Sequence, residues 1–302
     1  MRVAGHVGGE NTKGCRGRVL VSTLVGQGSF ARVGAIALLS LVAACGGSET
    51  AAPGGSVPLG WQPPAKGLWI WYFGYTGMTA AQAAQTAKDA GVGYVLIKSG
   101  QDASYWDTRY NAASVAEFTS RGMKVFAWAY MTPADVPGSV QAAALAARVP
   151  GTSGLVIDAE IEFEGGHDLE AQQLCEGIRA AVPGVWLAYT SFGWIGYHPT
   201  FPFDAFDRYC GDAFFPQVYW SDRGVTWSSG HAEAMQMLEA ARLQAPVWIV
   251  QSNDDTPQGA SPATADLNAF FDLTPPYSSL WEFPSSASPA KLPQLALLHW
   301  TN

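Results

Sequence analysis

Gly154-Leu155-Val156-Ile157-Asp158-Ala159-Glu160-Ile161 is an apolar strand with two carboxylates set into its far end. Side chains alternate along a strand, so Asp158 and Glu160 share one face. Ile157, Ala159 and Ile161 take the other face, suited to packing beneath helices. Similar apolar, β-rich runs occur at 67–73, 93–99, 124–131, 184–191, 213–220, 245–252 and 279–283. Counted in order, the quoted run is the fourth of eight. Most gaps between them hold an Ala-rich amphipathic helix, at 79–90, 112–121, 139–148, 168–181 and 231–243, with another opening near Pro262. Ala90-Gly91 gives the first of these a helix stop directly before the second strand. Eight βα units in about 240 residues predict an α/β fold, a single (β/α)8 TIM barrel. An open doubly wound sheet would be expected to carry a phosphate-binding GxGxxG, and none is present.

Composition agrees with this class. Of 302 residues, 48% are hydrophobic, 14% charged and 12% aromatic, with 12 Trp. A disordered chain has more charge and fewer rings, and a coiled coil far more Glu, Lys and Arg. The net charge of -8 argues against a nucleic-acid partner. That figure averages two unlike parts. Residues 1–44 carry Arg2, Lys13, Arg16, Arg18 and Arg32 against Glu10, whereas 45–302 hold 12 basic and 24 acidic residues, a formal charge of -12.

The basic region precedes a short apolar run, Val33 to Ala44, and then Val42-Ala43-Ala44-Cys45-Gly46. A span this short is an export signal rather than a permanent membrane helix. The sequence before Cys45 is similar to a bacterial lipobox, which implies lipidation of Cys45 and a membrane partner through that anchor. Gly46 is not the Asp that retains lipoproteins in the inner membrane, which points to outer-membrane or surface display. The expected organisation is a signal at 1–44, a Gly/Pro/Ser-rich tether at 45–60 and the barrel at 61–302. Export places Cys175 and Cys210 in an oxidising compartment, where they are candidates for a disulfide, with two buried thiols as the alternative.

Barrel active sites lie at the C-terminal strand ends. Asp158 and Glu160 are the candidate catalytic pair there, because two adjacent carboxylates cannot both ionise freely and one pKa should rise. Pairing with Lys98 or backbone amides is the structural alternative. Candidate binding residues at the other strand ends are Trp71, Lys98, Trp128, Tyr130, Tyr189, Gln217, Tyr219 and Gln251, with either Trp281 or Glu282 facing inward. Rings stack on sugar faces and amides bind hydroxyls, so a glycan is the expected partner. Glu160, Glu162, Glu164, His167 and Asp168 read better as a solvated acidic rim than as a metal site. No metal and no cofactor is expected; there is no P-loop, and the absence of GxSxG disfavours serine-hydrolase chemistry.

At these residues the chain resembles glycoside-hydrolase TIM barrels, especially family 25, the lysozyme-type muramidases. The resemblance spans roughly 91–194. Tyr94-Val-Leu-Ile-Lys-Ser-Gly with Tyr105-Trp106-Asp107 looks like that family's second strand and loop, and Gly122 to Tyr130 its third strand. Asp158-Ala-Glu160 matches its D-x-E, which implies Glu160 as catalytic acid and Asp158 as its partner. Leu187 to Trp194 is similar to its fifth strand and turn. Asp158-Ala-Glu160 with Gln217-Val-Tyr219 is also similar to the chitinase-type arrangement. The family's strand-one Asp, in G-x-D, is replaced by Gly67-Leu68-Trp69. Two readings follow. One is a lipid-anchored glycoside hydrolase acting on an envelope or environmental polysaccharide, with Glu282 as a distant second carboxylate. The other is a non-catalytic carbohydrate-binding or scaffold lipoprotein on a degenerate barrel.

Overall fold

Eight parallel strands close into a barrel in the computed structural model, which describes residues 65–301 apart from 74–76, 256–260, 276 and 284–290. The expected signal, Cys45 and the tether lie outside the described residues. The strands are β1 (Gly67–Ile70), β2 (Tyr94–Gln101), β3 (Lys124–Met131), β4 (Thr152–Ala159), β5 (Leu187–Phe192), β6 (Phe214–Gln217), β7 (Val250–Ser252) and β8 (Ser279–Trp281). β1 pairs in parallel with both β2 and β8, which closes the ring. A two-residue strand, Ser104–Tyr105, folds back antiparallel on the end of β2. Around the ring run α1 (Ala80–Ala90), α2 (Ala112–Thr119), α3 (Val136–Ala147), α4 (Asp168–Ala181), α5 (Phe203–Cys210), α6 (Trp227–Ala241), α7 (Thr264–Leu273) and the short α8 (Leu292–Leu295). The chain is thus the single (β/α)8 barrel that its rhythm predicts.

Local chemistry sets the element ends. Thr79 caps α1 in a capping box with Gln82, and Gly91 ends it at φ 95°. Proline shortens two expected strands. Pro216 lies inside β6 and Pro246 precedes β7, where only the bridge Phe214–Val247 extends the pairing. Neither proline has an N–H to give the ladder. β4 stops at Ala159, and Glu160 opens a 3₁₀ turn over Ile161–Phe163. Ile161 therefore does not pack under helices as its parity predicts; it is 64% exposed. Cys175 of α4 and Cys210 of α5 form a disulfide, with Cα atoms 5.4 Å apart.

Two apolar layers result from strand alternation. Ile157, Ala159, Leu187 and Tyr189 face outward into the layer beneath the helices. Trp69, Tyr94, Phe126, Trp128, Trp186, Phe215 and Trp248 face inward and fill the barrel. Branched aliphatics dominate most such interiors; here rings pack edge to face, as Trp69 does on Phe215 at 5.7 Å and 90°. Gly154 leaves room for this filling, since a Cβ there would stand 2.6 Å from the Trp186 ring.

Candidate active site

A cavity of about 240 Å³ opens at the C-terminal ends of the strands. Its acidic wall is Asp158, the last inward residue of β4, and Glu160, which follows the strand. β6 supplies Gln217 and, just beyond it, Tyr219. The Gln217 Nε2 donates to Asp158 Oδ1 at 3.2 Å and to Glu160 Oε1 at 3.1 Å, so one amide ties the two carboxyls together. Tyr130 of β3 stands beside Asp158, in register with it, and Lys98 of β2, Trp71 just past β1 and Trp281 of β8 continue the wall. The structure thus brings together eight of the residues singled out in the sequence.

Four others are elsewhere. Tyr189 faces outward and stacks between Phe214 and Phe206, at 4.5 and 5.5 Å. Its neighbour Thr190 takes the inward position, in register with Asp158. Gln251 follows the inward Val250, so its side chain turns out of the barrel, and its Nε2 donates to the Ser252 carbonyl at 2.7 Å. Trp128 faces inward but is not part of the cavity lining; it is buried and donates from Nε1 to the Ile70 carbonyl at 3.2 Å. Glu282 is buried outside the cavity. Its N–H donates to Asn253 Oδ1 at 3.0 Å, while Trp281 takes the inward place. Trp69 lines the cavity as well, at the position where the muramidase pattern has Asp. Thr190 and Trp69 could have been found from strand phase, had the inward face of each strand been fixed.

Burial and charge tune the groups. Asp158 is held well above the usual carboxylate range, chiefly by burial and then by Glu160, with Lys98 and the Gln217 hydrogen bond opposing. The raised pKa expected for the pair is therefore found on Asp158. Lys98 is lowered, by burial first, with Asp158 pulling it back and Arg109 pushing it further down. Its Nζ lies over the Trp128, Trp71, Trp106 and Tyr130 rings at 4.7, 5.3, 5.3 and 5.9 Å. The Tyr219 hydroxyl is pushed far up by burial and by Asp158 and Glu160, so it keeps its proton and can donate. Glu282 is raised to about 8 by burial and by Asp254, with Lys291 and Lys98 opposing.

The acidic rim after β4 is engaged with its neighbours. The Tyr130 hydroxyl donates to Glu162 at 2.6 Å, and Glu164 holds His198 Nδ1 at 2.7 Å. Among the described residues no group of three or more His, Cys, Asp or Glu is placed to hold a metal ion.

No protein-family model and no curated protein matches the chain. Solved structures do. The spore cortex-lytic enzyme SleL of Bacillus cereus overlaps with a TM-score of 0.54 at 9% identity, covering 77% of this chain and 73% of SleL. A β-mannanase from Streptomyces thermolilacinus overlaps at 0.49 and 10% identity, over 74% of this chain and 80% of its own. A family 25 glycosyl hydrolase from Bacillus anthracis overlaps at only 0.32 and 10% identity, over 62% of this chain and 70% of its own. Identities this low speak for fold alone, and the last two overlaps are too loose to argue from. The fold is a (β/α)8 TIM barrel, and its chemistry rests on the site.

Proposed function

We propose that this protein is a lipid-anchored glycoside hydrolase that cleaves an envelope or environmental polysaccharide by carboxylate general-acid catalysis. One observation carries the reading: a single amide nitrogen bridges Asp158 and Glu160 on the wall of a ring-lined cavity. The upward push on Asp158, behind a more open Glu160, favours holding one proton on the pair. Glu160 passes it to the leaving glycosidic oxygen, and the Gln217 amide and the Lys98 ammonium steady the two carboxylates left behind. The cavity is small beside sites of ~300–1,000 Å³, which suits one sugar residue held against Trp281 and Trp71. Among the described residues, Asp158 and Glu160 are the carboxyls that line it. A water or a group of the substrate, rather than Glu282, then supplies the attacking oxygen, since an enzyme nucleophile would need a further carboxylate in the cavity, apart from the acid pair.

The test is a screen of the protein on peptidoglycan, chitin oligomers and plant and bacterial glycans, beside Glu160→Gln. Cleavage by the wild type and none by the variant supports the enzyme. Glycan binding without cleavage, unchanged by the variant, supports the non-catalytic reading, which Trp69 in place of a strand-one carboxylate favours. The anchor has its own check. Cys45→Ser should move the protein from the membrane fraction to the soluble one; an unchanged membrane fraction contradicts lipidation.

A further inference from the structure

The two sides of the cavity mouth differ in charge. The β4 side is acidic. On the β1–β2 side Lys98 lines the cavity and Arg109 stands outside its lining, both lying against the Trp106 ring, at 5.3 and 4.7 Å. The Arg109 guanidinium also covers Tyr72 at 4.2 Å, and Lys98 covers Trp71. Among the described residues neither cation forms an ion pair with a carboxylate. For Arg109 that is ordinary at a surface. For Lys98 it is not: the residue is 7% exposed, lines the cavity and has Asp158 nearby, yet its ammonium is held by ring faces. A buried cation without a bonded anion is costly, and a second cation beside it adds repulsion. An arriving anion would relieve both. Trp71, 38% exposed at the same edge, offers a flat face for a sugar ring.

We propose that Lys98, Arg109, Trp71 and Trp106 form a subsite for a carboxylate-bearing sugar, its ring against the indoles and its carboxylate drawn to the two cations. This rests on the glycan-binding part of the proposed function and names the substrate class, an acidic glycan. The carboxylate has two natural sources, a uronic acid or the lactyl group of muramic acid in glycan strands stripped of peptide.

The experiment is calorimetric binding by the full-length chain carrying Cys45→Ser and Glu160→Gln, so that ligand is not consumed. One pair of probes is β-1,4-tetraglucuronate against cellotetraose; the other is peptide-free peptidoglycan strands against chitotetraose. The acidic member of one pair should bind about tenfold tighter or more, the scale of one charge-assisted hydrogen bond. That preference should shrink in high salt and fall several-fold with the surface substitution Arg109→Gln and with Lys98→Met. The pair showing it identifies the carboxylate. Equal or tighter binding of both neutral members, no binding of any probe, or a preference that survives both substitutions would overturn the subsite. Turnover is read separately. Cleavage lost in Glu160→Gln without any acidic preference sinks the subsite alone, and acidic preference without wild-type cleavage sinks the catalytic reading alone.

Discussion

Asp158 and Glu160 lie two positions apart and differ in surroundings, the first buried at the strand end and the second half-open to the cavity. Glu282 shows the cost of such burial most clearly. Its folded pKa is about 8 against 4.5 ordinarily. Between those values the folded chain keeps a proton that the unfolded chain has released, so stability falls as pH rises from about 4.5 to 8 and levels off above. Glu282→Gln removes that loss. Denaturation midpoints should show the variant gaining on the wild type across this window, and a constant difference would contradict the assignment. The acid pair was legible in the sequence because alternation alone puts two carboxylates on one face. Tyr189 was misread because Gly184-Val-Trp-Leu-Ala-Tyr-Thr-Ser191 has bulky residues in both phases. Alternation gives the period but not which phase faces in; the register of Thr190 with Asp158 decides it.

β4 shows how an element is fitted to the ring-filled interior. A methyl group at Gly154 would meet the Trp186 ring at 2.6 Å and the Trp186 carbonyl oxygen at 2.8 Å, neither of which yields easily. Gly154→Ala should cost roughly 1–3 kcal/mol in urea unfolding, the scale of overpacking; no change would mean that the interior is loosely packed. The disulfide acts on a different pair of elements, closing a 35-residue separation between α4 and α5. The double change Cys175→Ser, Cys210→Ser should lower unfolding free energy by about 3–4 kcal/mol, with a smaller effect if the unfolded chain keeps that region compact. Helix and strand existence was readable from periodicity and caps. Strand ends were readable only where proline marks them, and Glu160's departure into a 3₁₀ turn leaves no such mark.

Across the whole chain, six tryptophans divide between two uses, while Trp194, Trp220, Trp227 and Trp300 pack in the layer beneath the helices. Trp69, Trp128, Trp186 and Trp248 are buried in the barrel, with Trp69 also reaching the cavity floor, while Trp71 and Trp281 remain at the mouth. Composition could not separate these uses, because filler and sugar platform are the same side chain at different heights in one ring of strands. The charge divides similarly: an acidic chain past residue 44 holds a small cationic edge beside its acid pair. The account's central claim is that this pair does chemistry. The most direct measurement is the rate of reducing-end release by wild type and by Glu160→Gln on one polysaccharide that both bind. General-acid catalysis predicts a fall of about 10²–10⁴-fold with binding retained. Release at an undiminished rate in Glu160→Gln would contradict it.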